Sequence, residues 1–166
     1  MSEVSDAAVV RLFLADYAAV DAASKLNMIG GGLSLIGFNP GTSLSAPFSL
    51  VATVSVPPAL YGAECSVEII LEDAAGVLVS LPGPTGETQT MRVGQAVTFQ
   101  RPIFPAASVP ENLVDARVQW VLNFAAGLPL PVGNRYIWRI RIDHETRPDW
   151  VEAFFVPGPP PGPVIG

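Results

Sequence analysis

Apolar and polar side chains alternate along much of the chain, and proline and glycine punctuate the alternation. Residues 9–17, VVRLFLADY, are apolar on both period-2 faces over most of their length, as expected of a strand covered on two sides. After a polar break, residues 25–36 form a second apolar run that contains Gly30-Gly31-Gly32. The triplet permits a bend without steric cost, so the two runs predict a strand pair that nucleates a sheet, with a bulge or corner at the glycines. Phe48, Leu50, Ala52, Val54 and Val56 then alternate with Ser49, Val51, Thr53 and Ser55, which predicts a strand buried on one face. Pro57-Pro58 stops it, because neither proline can donate to a ladder. Cys65, Val67, Ile69 and Leu71 alternate with Glu64, Ser66, Glu68 and Ile70, placing the thiol on the core side.

Residues 73–76 predict a hairpin connection into 77–79, and residues 81–87 a longer loop. Two short strands are expected at 88–93 and 95–101 on either side of Gly94, followed by an irregular stretch held open by Pro102, Pro105 and Pro110. Val114, Ala116, Val118, Trp120, Leu122 and Phe124 give the clearest strand, with an aromatic payload on its buried face. A turn at 127–133 leads to Tyr136, Trp138, Ile140 and Ile142, and residues 143–146 close a hairpin onto 149–156. Alanine at 16–25 predicts a short helical excursion and residues 108–113 a single turn. Together these patterns predict an all-β, antiparallel two-sheet β-sandwich of immunoglobulin-like or related topology with little helix, a closed barrel being the alternative. The expected division is a sandwich domain over 1–156 and a proline-rich tail over 157–166.

Composition narrows the function. In 166 residues, 15 acidic side chains outnumber 9 basic ones for a net charge of −6, so neither nucleic acid nor an anionic membrane is an expected partner. No basic residue precedes Arg11 and no apolar run approaches the ~20 residues that span a bilayer, which points to a cytoplasmic protein. Cys65 is the only cysteine, consistent with a reducing compartment.

The candidate chemistry is sparse. The glycine triplet lacks the following helix and Lys-Ser/Thr pair of a phosphate cradle. His144, the only histidine, lies between Asp143 and Glu145 at a predicted hairpin tip, where solvated turn chemistry is the simpler role; no Gly-x-Ser-x-Gly elbow accompanies it. Asp16, Asp21, Glu72, Asp73, Asp143, Glu145 and Asp149 fall near strand ends without the spacing of a calcium loop. Arg135, Arg139 and Arg141 form a basic stripe, with Arg117 on the corresponding face of a neighbouring candidate strand; an acidic partner could meet it, but Glu64, Glu68 and Glu72 form an equally regular acidic stripe, and cross-strand pairing is the simpler account. No catalytic residue, metal or cofactor is therefore assigned. Residues 157–166 favour polyproline II, and Pro159, Pro160, Pro161, Pro163, Val164 and Ile165 are the candidate partner-binding residues, with Val164-Ile165 an apolar anchor.

Ala15-Asp16-Tyr17, Lys25-Leu26 with Ile29-Gly30-Gly31-Gly32, Pro47-Phe48-Ser49-Leu50-Val51, Gly83-Pro84-Thr85-Gly86-Glu87, Leu122-Asn123-Phe124 and Tyr136-Ile137-Trp138-Arg139 are distinctive as a set. Their combination resembles an uncharacterised family of small β-sandwich-like domains from actinobacteria and their phages. The resemblance implies a bacterial or phage context and carries no site residues, because that family has no assigned activity. The expected function is a non-catalytic protein-interaction or assembly module binding a protein partner or its own copies, as a phage structural or decoration protein or a host-interacting accessory. The alternative is a small-ligand, carbohydrate-binding sandwich that stacks a sugar on Trp150 or Tyr61.

Overall fold

The computed structural model describes residues 2–83, 85–105, 107–110 and 112–158. Its first half contains strands β1 (Val9–Ala15), β2 (Tyr17–Val20), β3 (Leu26–Ile29), β4 (Phe38–Asn39), β5 (Leu44–Ser45), β6 (Phe48–Val56) and β7 (Glu64–Asp73). The second half adds β8 (Ser80–Pro82), β9 (Thr88–Thr90), β10 (Arg92–Thr98), β11 (Ala116–Phe124), β12 (Asn134–Ile142) and β13 (Val151–Val156). One five-residue helix, α1 (Glu3–Ala7), opens the chain. Sequence periodicity missed it because it is a single capped turn. Ser2 Oγ accepts the Ser5 amide at 3.1 Å, and Glu3 and Asp6 occupy the first turn, where the helix dipole favours negative charge.

Seven strands build two antiparallel sheets. One has the order β1-β6-β11, the other β10-β7-β12-β13, so the chain passes from the first sheet to the second, back through β11, and over again. This is the all-β sandwich that the alternation predicts. Leu12, Leu14, Leu50, Ala52, Val54 and Val56 from the first sheet meet Val67, Ile69, Leu71, Trp138, Ile140 and Ile142 from the second in one core. Aromatic rings join the layers at one end. Phe48 packs on Phe124 and Phe154 with centroids 4.8 and 5.8 Å apart, Phe124 stacks on Trp138 at 5.6 Å, and Phe154 touches Tyr136 at 5.6 Å. The Tyr136 hydroxyl donates to the Pro131 carbonyl at 2.7 Å, a tyrosine corner that fixes the β11–β12 connection in the manner of Greek-key sandwiches.

Burial of the two strands expected to differ is the reverse of the sequence reading. β1 lies at a sheet edge and exposes Val9, Arg11 and Phe13, whereas β6 is central and buried on both faces apart from the partly exposed Thr53. The β2–β3 hairpin covers the outside of β6 and β11. Ala18 is wholly buried there, and its amide donates to Ser49 Oγ, which in turn donates to Asn123 Oδ1. The residues expected to be helical from 16 to 25 are instead strand β2 and the turn that follows it, because the Tyr17–Val20 backbone pairs with Leu26–Ile29. Gly94 does not divide two strands either; it lies inside β10, opposite Glu68, and the break falls before Arg92. The segment expected at 77–79 pairs only at Leu78, with the strand proper beginning at Ser80.

The glycine triplet is a corner. Gly30 and Gly32 have positive φ, and the chain then stitches the two sheets together. Gly32 and Leu33 amides donate to the Leu14 carbonyl at 2.8 and 3.2 Å, while Phe155 N donates to Ser34 O and Ile36 N to Phe155 O at 2.9 and 3.0 Å. A side chain at Gly30 would collide with Asp16. Among the described residues, no helix is long and apolar enough to cross a membrane.

Removing the corner hydroxyl with Tyr136→Phe is expected to cost about 1–2 kcal/mol in a denaturant titration, because the Pro131 carbonyl loses its donor. Glu152 stands opposite Trp138 on the inward face of β13, and burial holds its carboxyl above the usual range. A raised carboxyl favours the protonated fold, so its stabilising contribution is present at acid pH and is lost as pH rises through the folded-state pKa. Glu152→Gln should therefore raise Tm at pH 7, with the difference vanishing toward pH 3.

Candidate functional site

Most of the chemically distinctive side chains are engaged in holding the sandwich. Cys65 is buried on β7, and burial, reinforced by the charge of Asp143, pushes its thiol up to about 11. His144 sits with positive φ at the 143–146 turn, its side chain 80% exposed and Nδ1 3.9 Å from Glu68 Oε1. Neither a nucleophile nor an elbow stands beside it in the described interactions. Asp143 Oδ1 accepts the Ser66 amide at 2.9 Å; although burial works against it, this bond and further donors bring its carboxyl below the usual range. Glu145 accepts from Ser2 N and from the Ser5 hydroxyl, pinning α1 to the β12–β13 turn, and those bonds lower its pKa.

The acids at strand ends do not converge. Asp21 Oδ1 accepts the amides of Ala23 and Lys25, and Asp73 Oδ1 those of Ala75 and Val77, so each folds its own loop. Among the described residues no group of three or more His, Cys, Asp or Glu side chains is placed to hold a metal ion.

The charged stripes pair in part across the sheet, through Arg139, Arg141 and Glu72, while Glu68 is met by Arg92 from outside the stripe. Arg139 Nε donates to Glu72 Oε2 at 2.8 Å, Arg141 reaches Glu72 Oε1 at 3.4 Å, and Arg92 from β10 pairs with Glu68. These contacts roof Ile70, which is fully buried although it points away from the core. The outer face of this sheet is consequently a compensated charge lattice, a structural role consistent with cross-strand pairing.

The concave feature that stands apart is built by the irregular segment between β10 and β11. Prolines 102, 105 and 110 keep it out of the ladder, and the short turn after β6 clasps both its ends. Phe99 N donates to Ala63 O at 3.0 Å, Gly62 N to Phe99 O at 2.9 Å, and the Tyr61 hydroxyl to the Val114 carbonyl. Between these clasps lie two adjoining hollows of about 280 and 490 Å³. Pro102, Phe104 and Val114 line both; Tyr61, Arg101, Ile103, Ala107, Val109 and Pro110 complete the first, and Gln100, Leu113, Asp115 and Arg117 the second. Large apolar side chains stand in solvent around them: Ile103 is 83% exposed, Leu113 71% and Phe104 44%.

Of the two rings expected to serve as stacking platforms, Trp150 is 1% exposed, with the Arg147 guanidinium 5.2 Å from its ring centroid, so it is packing and not a platform. Tyr61 is half-buried and lines the cleft. The tail residues Pro159, Pro160, Pro161, Pro163, Val164 and Ile165 lie outside the described residues. Sequence periodicity passed over Ile103, Phe104 and Leu113 because they belong to no repeat. Their signal was large apolar residues set among prolines in a stretch with no core to fill.

Compared with known proteins, the chain matches no family model and no curated protein.

Because the Cys65 thiol is buried and titrates near 11, a thiol reagent at pH 8 should label it slowly in the folded protein and rapidly once denaturant unfolds the sandwich. Rapid stoichiometric labelling of the native protein would contradict this placement.

Proposed function

We propose that the protein is a non-catalytic interaction module that engages a protein partner or its own copies through the loop-built cleft at one end of the sandwich. The observation that supports this reading is the exposed apolar rim of Ile103, Phe104 and Leu113 around contiguous hollows. Large apolar side chains in water are unfavourable, and their collection around a concavity is the signature of a docking surface. Asp73, Asp143, Glu72 and Glu145 are engaged in loops, caps and cross-strand pairs and do not line the cleft. A bacterial or phage assembly setting, as a structural, decoration or host-interacting component, accords with the resemblance of the sequence motifs. A small, rigid brick with one sticky end suits that work.

A second reading retains one observation. Tyr61 lines the first hollow and offers a ring to a small ligand such as a sugar. Its hydroxyl already donates to Val114. Gln100, Arg101, Asp115 and Arg117 also line the hollows, and it is the large exposed side chains of Ile103 and Leu113 that favour a protein surface over a carbohydrate.

Ile103→Asp combined with Leu113→Asp places charge on the rim without touching the core. The expected outcome is loss of concentration-dependent association in sedimentation and of any partner retained by the parent protein from a native lysate, with an unchanged thermal transition. A parent chain that stays monomeric at every concentration and retains no partner overturns the reading.

A further inference from the structure

We propose that the proline-rich segment 159–165 of one copy docks in the Tyr61–Phe104 cleft of the next, so that the module assembles head to tail. This inference rests on the interaction reading above and names its partner.

The cleft has the chemistry that binds polyproline. Such segments need no ordering of their own backbone, and they lie against aromatic rings with proline rings inserted between them. Here Phe104 lines two adjoining hollows and Tyr61 walls the first. The tail supplies Pro160-Pro161-Gly162-Pro163, a P-x-x-P element. Three residues make one polyproline II turn, so in that conformation Pro160 and Pro163 would share one face about 9 Å apart. Val164 and Ile165 follow as an apolar anchor of the kind that Leu113 and Ile103 would meet.

Geometry makes the partner a second copy. β13 ends beside the start of β12: Val156 pairs with Asn134, and its carbonyl accepts the Gly133 amide at 2.7 Å. On the adjacent strand β7 this level corresponds to Asp73, whose neighbour in register is Tyr136. Tyr61 precedes Glu64, at the opposite end of β7. Ten strand residues span about 30 Å. Pro163 is seven residues beyond Val156, and a fully extended chain covers at most ~3.6 Å per residue, or about 25 Å. Even fully extended, the P-x-x-P element would therefore fall short of the cleft on its own domain, because Val156 lies at the opposite end of the sandwich. Donor and acceptor at opposite poles give a heterologous contact, which produces open chains, or rings where the rotation closes.

The test uses full-length chains. A tail variant carries Pro160→Asp and Pro163→Asp; a cleft variant carries Phe104→Asp. Phe104 is substantially exposed, and Ile103→Asp is the second cleft variant should the first unfold. Sedimentation of the parent should show mass rising with concentration beyond the dimer. Each variant alone should need at least about tenfold more protein to associate. An equimolar mixture of tail and cleft variants should form a complex that stops at two chains, because the pair contains one working tail and one working cleft.

A mixture that yields no complex overturns the proposal, as does a parent that is monomeric throughout. If the tail variant associates as strongly as the parent, the tail docking is wrong while the interaction reading survives. If the cleft double substitution Ile103→Asp/Leu113→Asp also leaves association intact, that reading falls separately.

Discussion

The fold depends on the seam of aromatic rings that runs from Phe48 and Phe124 in one sheet to Trp138, Phe154 and Tyr136 in the other. Two sheets about 10 Å apart need large side chains to fill the space between them, and here five rings do so at the end where β11 turns into β12. Their contacts set the alignment of the sheets, and the tyrosine corner holds the connection that delivers Tyr136 and Trp138 to the core. The opposite end has no comparable run of rings. It is closed by α1, the short turn after β6 and the long proline-punctuated loop, and that is where the apolar rim emerges. A packed end fixes the frame and frees the other end to vary.

Much of the architecture was legible as period-2 alternation. β7, β11 and β12 read clearly because each alternates against solvent or a charged face, and the Arg and Glu stripes announced their own pairing. What periodicity could not supply was the position of each strand in its sheet. Ser49, Thr53 and Ser55 look like solvent-facing residues, yet β6 is central and roofed by the β2–β3 hairpin. Ser49 survives burial there because Ala18 and Asn123 satisfy its hydroxyl. β1 shows the converse, since its apolar outer residues Val9 and Phe13 remain partly exposed at an edge. The alanines between 16 and 25 misled for a related reason: small side chains suit a helix, but they equally let a hairpin lie flat on another sheet.

The cleft was illegible for a different physical reason. Ile103, Phe104 and Leu113 contribute to no repeating face, and the loop carrying them is positioned by bonds from residues some forty to fifty places earlier. Local sequence contains no trace of those long-range clasps. The same separation explains why the charged groups proved structural. Glu72 with Arg139 and Arg141, and Glu68 with Arg92, pair over Ile70, so these charges are engaged within the sheet. The apolar rim of Ile103, Phe104 and Leu113 stands on the proline-punctuated loop, while Tyr17, Ile29, Leu35 and Val77 are exposed elsewhere.

The stitch made by residues 32–36 has a mechanical consequence. β13 is held on one side by β12 and on the other by the hydrogen bond that Phe155 donates to Ser34 and the one it accepts from Ile36. Tension applied through the tail would load these bonds in shear, all at once, instead of peeling them one by one. The strand from which the tail departs is thus gripped from both flanks, and a pull along it is shared with the first sheet through the carbonyl of Leu14.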